Sequence, residues 1–532
     1  MEGPLLAYSW DHFPARFAYA EPMARTVRPG SPVLGQVSGA AGLADAIIDL
    51  VADGSLADGD WLPSTRALAG QTGLSRGTVV RAFDELSAAG FVDSTQGSGT
   101  RVAAGAGQAA RAGARTRGVR DTSSSSRLVP SGSSSSPPAA SRSSPVPEPR
   151  RGRSAHDLRP GIPDVALVDE RAWRAAVRAA AAQGLAGLNP WEEPSPTLRA
   201  ALAAHLRRHR GIAAADPLLF DSSRSAIAAL CSAFVTAHGR VPFHMEDPGY
   251  RGALLMAREQ DLDVRFHPAE PGGLDAARLG SARAIVFTTP AHHFPLGHRM
   301  SVDRRVALVD WAQRTGSLVI EDDYDGEFRY GVAPLPALAT LPAADGHVAY
   351  VGTSSKSVAP DLRVAWCLPP AALRREVDRW LVVHRRGPST LPAEALGAFI
   401  AAGAMDRHLA RAARVYSDRR HRLVAALARE CPGLDVTGVE AGLHLCVLLP
   451  GYDDDEVVRE LERAGWRTRS LSGQSARYAV SGLVLSYSRL VARDAEAFAA
   501  KLRDVIGGTG PVAGVSSGGH DPVTPSRLPP GR

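Results

Sequence analysis

Two strand-like edges carry the residues with the most chemistry in them. In Leu318-Val319-Ile320-Glu321-Asp322-Asp323-Tyr324 an apolar run ends in three acids and a tyrosine, which is how a buried parallel strand reads when its carboxyl end opens into a site. The second edge, Val348-Ala349-Tyr350-Val351-Gly352, runs into Thr353-Ser354-Ser355-Lys356-Ser357, a lone lysine among small hydroxyl residues, and Arg363 follows. Acids at a strand end are commonly solvated, and a lysine after a strand is commonly a surface group, so the argument rests on order and spacing. An amine that can shed its proton forms a Schiff base with an aldehyde. An acid beside a pyridine nitrogen keeps that ring protonated as an electron sink. A phosphate calls for a guanidinium, hydroxyls and backbone N–H groups.

Together these are the needs of pyridoxal 5'-phosphate. Lys356 supplies the amine, Asp322 the acid, and Arg363 with Thr353 and Ser355 the phosphate donors. The phrases EDDYDGEFRY and VGTSSKSVAPDLRVAW resemble the fold-type I aminotransferases, and within them the aminotransferase-like half of the MocR/GabR regulators of the GntR family. That resemblance implies further site residues. After Leu218–Phe220, the turn Asp221-Ser222-Ser223-Arg224 opens a helix whose N-terminus suits a phosphate, with Ser223 and Arg224 at the phosphate positions. In Glu246-Asp247-Pro248-Gly249-Tyr250, Tyr250 stacks on the pyridine. Tyr324 reaches the phenolic oxygen. His292 or His293 lines the pocket, and His293 is taken as the cofactor contact. Three departures argue against ordinary transamination. Leu483 stands where a carboxylate-clamping arginine is expected, with Arg489 nearby; histidines and Phe294 replace an asparagine turn; and 189–196 lacks the usual glycine-containing entry loop.

These residues need a scaffold. Apolar runs at Leu218–Phe220, Val241–Met245, Val264–His267, Ala284–Thr288, Leu318–Ile320, Val348–Val351 and Arg363–Cys367 alternate with helical patterns, which predicts an α/β domain with a mostly parallel sheet over 156–507. From about Gly397 a smaller α/β unit follows. There Arg411, Arg414, Arg419, Arg420 and Arg422 are expected on the solvated face of a long helix, and Ala441–Leu445 reads as a strand.

Upstream, Leu43, Ile47, Ile48 and Val51 have helical spacing. Ser64 and Ser75 read as N-caps of a second and a third helix. Leu74, Val79, Phe83 and Leu86 form the inner face of the third, and 90–102 reads as a two-stranded wing turning at Gly97 to Gly99. Helix, turn, helix, wing is a DNA-reading order. The run LPSTRALAGQTGLSRGTVVRAFDELSAAGFVDSTQGSGTRV is very similar to the winged helix-turn-helix of GntR regulators. By that resemblance Arg66, Arg76, Thr78 and Arg81 contact double-stranded DNA, and Ser64, Ser75 and Gly97 place phosphates.

The expected layout is therefore an extension (1–38), a mainly α winged helix-turn-helix domain (39–103), a flexible Ser/Pro/Arg-rich linker (104–155), the aminotransferase-like domain (156–507) and a disordered tail (508–532). The linker, poor in large apolar residues, cannot build a core, and as a coil it would span on the order of 40 Å. Net charge is +6, which permits nucleic-acid binding without requiring it. The four cysteines are scattered, with no metal spacing, and neither a membrane span nor a signal peptide is evident, so a cytoplasmic protein without metal is expected.

The expected function is transcriptional regulation. An amino-acid-like effector or pyridoxal phosphate would be sensed through the Lys356 Schiff base. Resemblance implies a homodimer placing two heads on paired half-sites. The alternative is a working aminotransferase carrying a DNA-binding head. A third possibility is a body that no longer binds cofactor and serves only for dimerisation.

Overall fold

A computed structural model of the chain describes residue 37 and residues 39–88, 91–95, 99–103, 106–107, 110–111, 156–184, 195–212, 215–330, 335–491 and 493–509. The expected extension apart from residue 37, nearly all of the linker, the wing tip with Gly97, 189–194 of the entry segment and 510–532 of the tail lie outside the described residues.

The first helix of the head, Gly39–Ala52, buries Leu43, Ile47, Ile48 and Val51 along one stripe. Thr65–Thr72 starts where the Ser64 side chain accepts from the Ala67 N–H, and ends where Gly73 turns left-handed (φ 70°) and donates to the Ala69 carbonyl. The third helix, Arg76–Ala88, starts with Ser75 Oγ accepting from the Thr78 N–H at 3.1 Å. It buries Val79, Ala82, Phe83 and Leu86 and leaves Arg76 and Arg81 exposed. Val92–Thr95 pairs antiparallel with Gly99–Val102, Val92 facing Val102.

The body is built on a seven-stranded sheet. Its order is Leu218–Phe220, Ala365–Leu368, Val348–Thr353, Leu318–Asp322, Ile285–Thr288, Pro242–Asp247, Asp263–Pro268. All neighbours are parallel except those of Ala365–Leu368, which runs antiparallel to both flanking strands. That strand starts later than expected because Arg363 takes a left-handed turn (φ 50°) at the end of the short helix Pro360–Leu362. The 318 strand is longer than its apolar run, since Glu321 and Asp322 still pair with Tyr350 and Val351. All five of its residues are buried, so its acids enter the interior and must find partners there.

The smaller unit follows the 27-residue helix Ala404–Glu430. It has a four-stranded sheet ordered Val436–Thr437, His444–Leu448, Gly482–Ser486, Arg469–Ser470, and the helix Asp494–Thr509 packs on it through Phe498 and Leu502. Two expected surface arginines are not on the surface. Arg419 pairs with Asp164 at 2.9 Å, and Arg420 is buried and donates to the Gly438 carbonyl at 2.7 Å. The helix sits inside the body at those turns, and only Arg411, Arg414 and Arg422 stay exposed.

The two units meet at Asp247, the last residue of its strand. Its carboxylate accepts from Ser475 Oγ (2.8 Å) and from the N–H groups of Ala476 (2.7 Å), Arg477 (2.8 Å) and Tyr478 (2.9 Å). Among the described residues no helix is long and apolar enough to cross a membrane.

Candidate cofactor cleft and nucleic-acid interface

The acids of the 321–327 motif are held in different ways. Glu321 accepts from the N–H groups of Leu338 (2.9 Å) and Ala339 (3.1 Å), and burial pushes its carboxyl up to about 7. Asp323 pairs with the buried Arg210 at 2.5 Å and accepts from the Tyr350 hydroxyl at 2.7 Å. Alternation along a strand sends Asp322 to the other side. Its Oδ1 is buried with no protein hydrogen-bond partner. Burial, then the Asp323 charge, push the Asp322 carboxyl up to about 7, and the charge of Lys356 opposes them. Beyond the strand, Asp325 Oδ2 lies 2.9 Å from His292 Nδ1, and the Tyr324 hydroxyl lies 3.2 Å from the same nitrogen. Burial pushes His292 down to about 3, so the ring is neutral.

Lys356 stands on the one-turn helix Ser354–Ser357, directly after the Val348–Thr353 strand. Thr353 Oγ1 accepts from the Ser355 N–H (3.1 Å), and Ser354 Oγ donates to the Val364 carbonyl (3.0 Å). These bonds fix the turn that aims the lysine. Lys356 Nζ donates to the Gly161 carbonyl at 2.8 Å. Gly161 is left-handed (φ 96°), and a Cβ there would lie 3.0 Å from Nζ, so the close approach needs glycine. Burial lowers the lysine pKa, while the Asp322 and Asp325 charges pull it back up.

Ser222 caps the helix Ser223–His238, its Oγ accepting from the Ser225 N–H. Asp221 gathers this end of the cleft. It accepts from Ser222 Oγ and Ser225 Oγ and pairs with the exposed Arg363 at 3.4 Å. Arg224, also exposed, donates from Nε to the Tyr250 hydroxyl at 3.4 Å, and its charge reaches Lys356. Tyr250 is half-buried, its ring 6.1 Å from Phe287 and 6.3 Å from Phe294. The start of this helix thus gathers two guanidiniums, Arg224, whose charge reaches Lys356, and Arg363, paired with Asp221, a layout suited to an anion.

His293 turns away from Tyr324 toward Glu246 (3.9 Å) and His298 (ring centroids 6.1 Å apart). Its neighbour His292 faces Tyr324 and Asp325, because successive residues of an extended turn point to opposite sides. Leu483 is buried within its strand, and Arg489 is paired with Asp157 at 3.0 Å. Sequence reasoning missed Gly161, Asp221 and the His292–Asp325 pair. Only the positive-φ tendency of glycine could have flagged the first.

In the head, Arg66, Arg76 and Arg81 are exposed. Ser75 Oγ and Thr78 Oγ1 lie 2.8 Å apart at the start of the third helix. Trp61, also exposed, bridges to Arg101 on the second wing strand.

Comparison with known proteins adds two matches in series. The family described as "Bacterial regulatory proteins, gntR family" matches residues 40–102, and "Aminotransferase class I and II" matches residues 161–470. The HTH-type pyridoxine biosynthesis transcriptional regulator PdxR of Corynebacterium glutamicum is 31% identical over 436 residues, 81% of this chain and 87% of that protein. The probable rhizopine catabolism regulatory protein MocR of Rhizobium meliloti is 30% identical over 406 residues, 75% of this chain and 79% of that protein. Among solved structures, a kynurenine aminotransferase of Pyrococcus horikoshii in complex with PMP shares the fold of the body (TM-score 0.59, 22% identity, 67% of this chain and 92% of that one). So does a multiple substrate aminotransferase from Thermococcus profundus (TM-score 0.60, 21% identity, 68% and 93%). A head that matches the gntR family joined to a body that matches the aminotransferases, with regulators 30–31% identical over three quarters or more of the chain, places it among the MocR-type regulators of the GntR family of transcription factors.

Proposed function

We propose that this regulator binds pyridoxal phosphate in the Lys356 cleft and that occupancy of the cleft, by cofactor alone or with an amino-acid-like effector, sets how the heads engage DNA. The observation that carries the proposal is the buried Asp322 Oδ1, without a protein partner, in the field of the half-buried Lys356 amine. An uncompensated buried carboxyl is costly unless a donor reaches it, and a protonated pyridine nitrogen is such a donor. The other residues fit the same group. Burial lowers the Lys356 pKa, which favours the uncharged form that a nucleophilic amine needs. Tyr250 offers a flat face. Ser223, Arg224 and Arg363 would hold the phosphate, with the Thr353–Ser355 turn beside them. Tyr324, steadied by His292, offers a hydroxyl to the ring oxygen. When bound, the cofactor supplies a carbonyl carbon open to an amine and a ring that accepts electron density.

The same reading assigns base and phosphate contacts to Arg66, Arg76, Thr78 and Arg81, with Ser64 and Ser75 at the helix starts beside phosphates. It also assigns a homodimer on paired half-sites, as symmetric recognition by helix-turn-helix proteins requires. A ligand shifts the balance between arrangements only by its differential affinity for them. Regulation is favoured over turnover by Leu483, which is apolar and buried, and by Arg489, which Asp157 already engages.

The test is spectroscopic. Full-length protein mixed with pyridoxal phosphate should gain a visible absorbance that Lys356→Ala abolishes, and its operator affinity should change with cofactor in the wild type only. A wild type that stays colourless overturns cofactor binding. Sustained multiple turnover with amino donors overturns the regulator-only assignment.

A further inference from the structure

A second cluster of ligand-type side chains lies away from the Lys356 amine. His205 and His209 occupy positions i and i+4 of the helix Pro196–Arg210, so both imidazoles project from one face, their ring centroids 4.5 Å apart. Asp406, in the first turn of Ala404–Glu430, meets them. Its Oδ1 is 2.9 Å from His209 Nε2 and 3.9 Å from His205 Nδ1. One ligand atom from each of the three residues lies within 4.8 Å of the others. On the far side of the His205 ring, Glu327 Oε1 stands 3.7 Å from Nε2.

His205 is the anomaly. Its side chain is 1% exposed, yet neither ring nitrogen has a hydrogen-bond partner, and separations of 3.7 and 3.9 Å are too long to be hydrogen bonds. A buried imidazole with both nitrogens unmet, one aimed at a histidine–carboxylate pair and the other at a second carboxylate, is costly as it stands. A cation among the three ligand atoms removes that cost.

We propose that His205 Nδ1, His209 Nε2 and Asp406 Oδ1 form a binding site for a divalent transition-metal ion of the zinc class, with Glu327 orienting the His205 ring from behind. Two imidazoles and one carboxylate, with the histidines one helical turn apart, suit zinc with a water as fourth ligand. A carboxylate on the second ring nitrogen is the usual outer partner of a metal-bound histidine. Leu206 follows His205, where a metalloprotease helix would carry its general base, so the ion is structural or regulatory. Arg208 Nη2, 3.3 Å from Asp406 Oδ2, holds the carboxylate oxygen that the ion does not take. The ion would tie Pro196–Arg210 to Ala404–Glu430 and, through Glu327, to the turn that carries Tyr324 and Asp325 into the cleft. The site is built without any cofactor residue, so it stands or falls separately from pyridoxal phosphate binding.

Untagged full-length protein, stripped with chelator and dialysed against micromolar zinc, should retain one zinc per chain by elemental analysis and melt at a higher temperature than the stripped form. His209→Gln, a partly exposed position that should fold, and Asp406→Asn should each weaken retention at least tenfold and lose the melting shift. Lys356→Ala should retain zinc like the wild type. Failure of the wild type to retain zinc, or equal retention by His209→Gln and Asp406→Asn, overturns the proposal.

Discussion

His444 carries a pH dependence that one substitution can isolate. Its ring is fully buried beside His292, with Nε2 3.0 Å from the Pro295 carbonyl. Burial and then the neighbouring His292 push it from 6.5 down to about 3, while Asp325 pulls the other way. Between those values the unfolded chain takes a proton that the native chain refuses. The contribution of His444 is therefore fully present above pH 6.5 and is lost as pH falls below it. Asp322 acts with the opposite sign. Its carboxyl, pushed from 3.8 up to about 7, is protonated in the native chain where the unfolded chain has already released the proton, so its contribution falls as pH rises toward 7. The wild-type profile mixes these with other buried groups such as His292 and Glu321, and a variant isolates the His444 share. His444→Gln should lose about 2 kcal/mol less than wild type between about pH 7 and pH 5, read from urea midpoints at the two pH values. Parallel profiles would remove the neutral buried imidazole from the account. At this scale the sequence was legible where chemistry is tied to a strand end, as at Asp322 and Lys356. It offered His292 only as one of two pocket candidates and was silent on its partner Asp325; the two meet because the turn after one strand folds over the turn after another.

The head's helices were readable because caps and stripes are local. Ser64 and Ser75 start their helices as side-chain acceptors, and Val79, Phe83 and Leu86 fall inside because 3.6-residue periodicity leaves no other choice. Removing the Ser64 hydroxyl with Ser64→Ala should destabilise the head by about 1 kcal/mol, seen as a lower melting temperature. Arg76→Ala and Arg81→Ala, on the exposed face, should leave melting unchanged and weaken operator binding by about 1–3 kcal/mol for each residue that reads a base. Unaltered gel shifts for both would take the third helix out of the groove. The sheet of the body was legible as a set of strands but not as an order. Apolar runs say that a strand is buried, and nothing local says that Ala365–Leu368 inserts antiparallel between Leu218–Phe220 and Val348–Thr353. The long helix misled for a related reason. Arg419 and Arg420 have a surface composition, but a 27-residue helix crosses from one unit to the other and its middle turns are covered.

Across the whole molecule Asp247, which a sequence reading places only in a turn before Tyr250, is one of several links between the two units, beside the bonds of Thr437 to the Leu296 carbonyl and of His444 to the Pro295 carbonyl. Its carboxylate accepts four donors from Ser475 to Tyr478, three of them backbone N–H groups. Those residues lead into Gly482–Ser486 of the small sheet, so one acid at the end of a large-sheet strand fixes the loop that feeds the other sheet. Hydrogen bonds to a charged acceptor are stronger than neutral ones, and removing this acceptor breaks four of them at once. Asp247→Ala should therefore cost about 2–3 kcal/mol, whereas an exposed acid such as Asp378 should cost within about 0.5 kcal/mol when replaced by alanine. Tyr250 lies three residues beyond, so loosening the latch should also lower affinity for pyridoxal phosphate without touching Lys356. Urea unfolding and cofactor titration on the same variant separate the two effects. Lost stability with unchanged affinity would confine Asp247 to holding the units together. A variant as stable as wild type would mean that the remaining bonds, such as Thr437 to the Leu296 carbonyl and His444 to the Pro295 carbonyl, suffice to join them, and the position of Tyr250 would then need another cause.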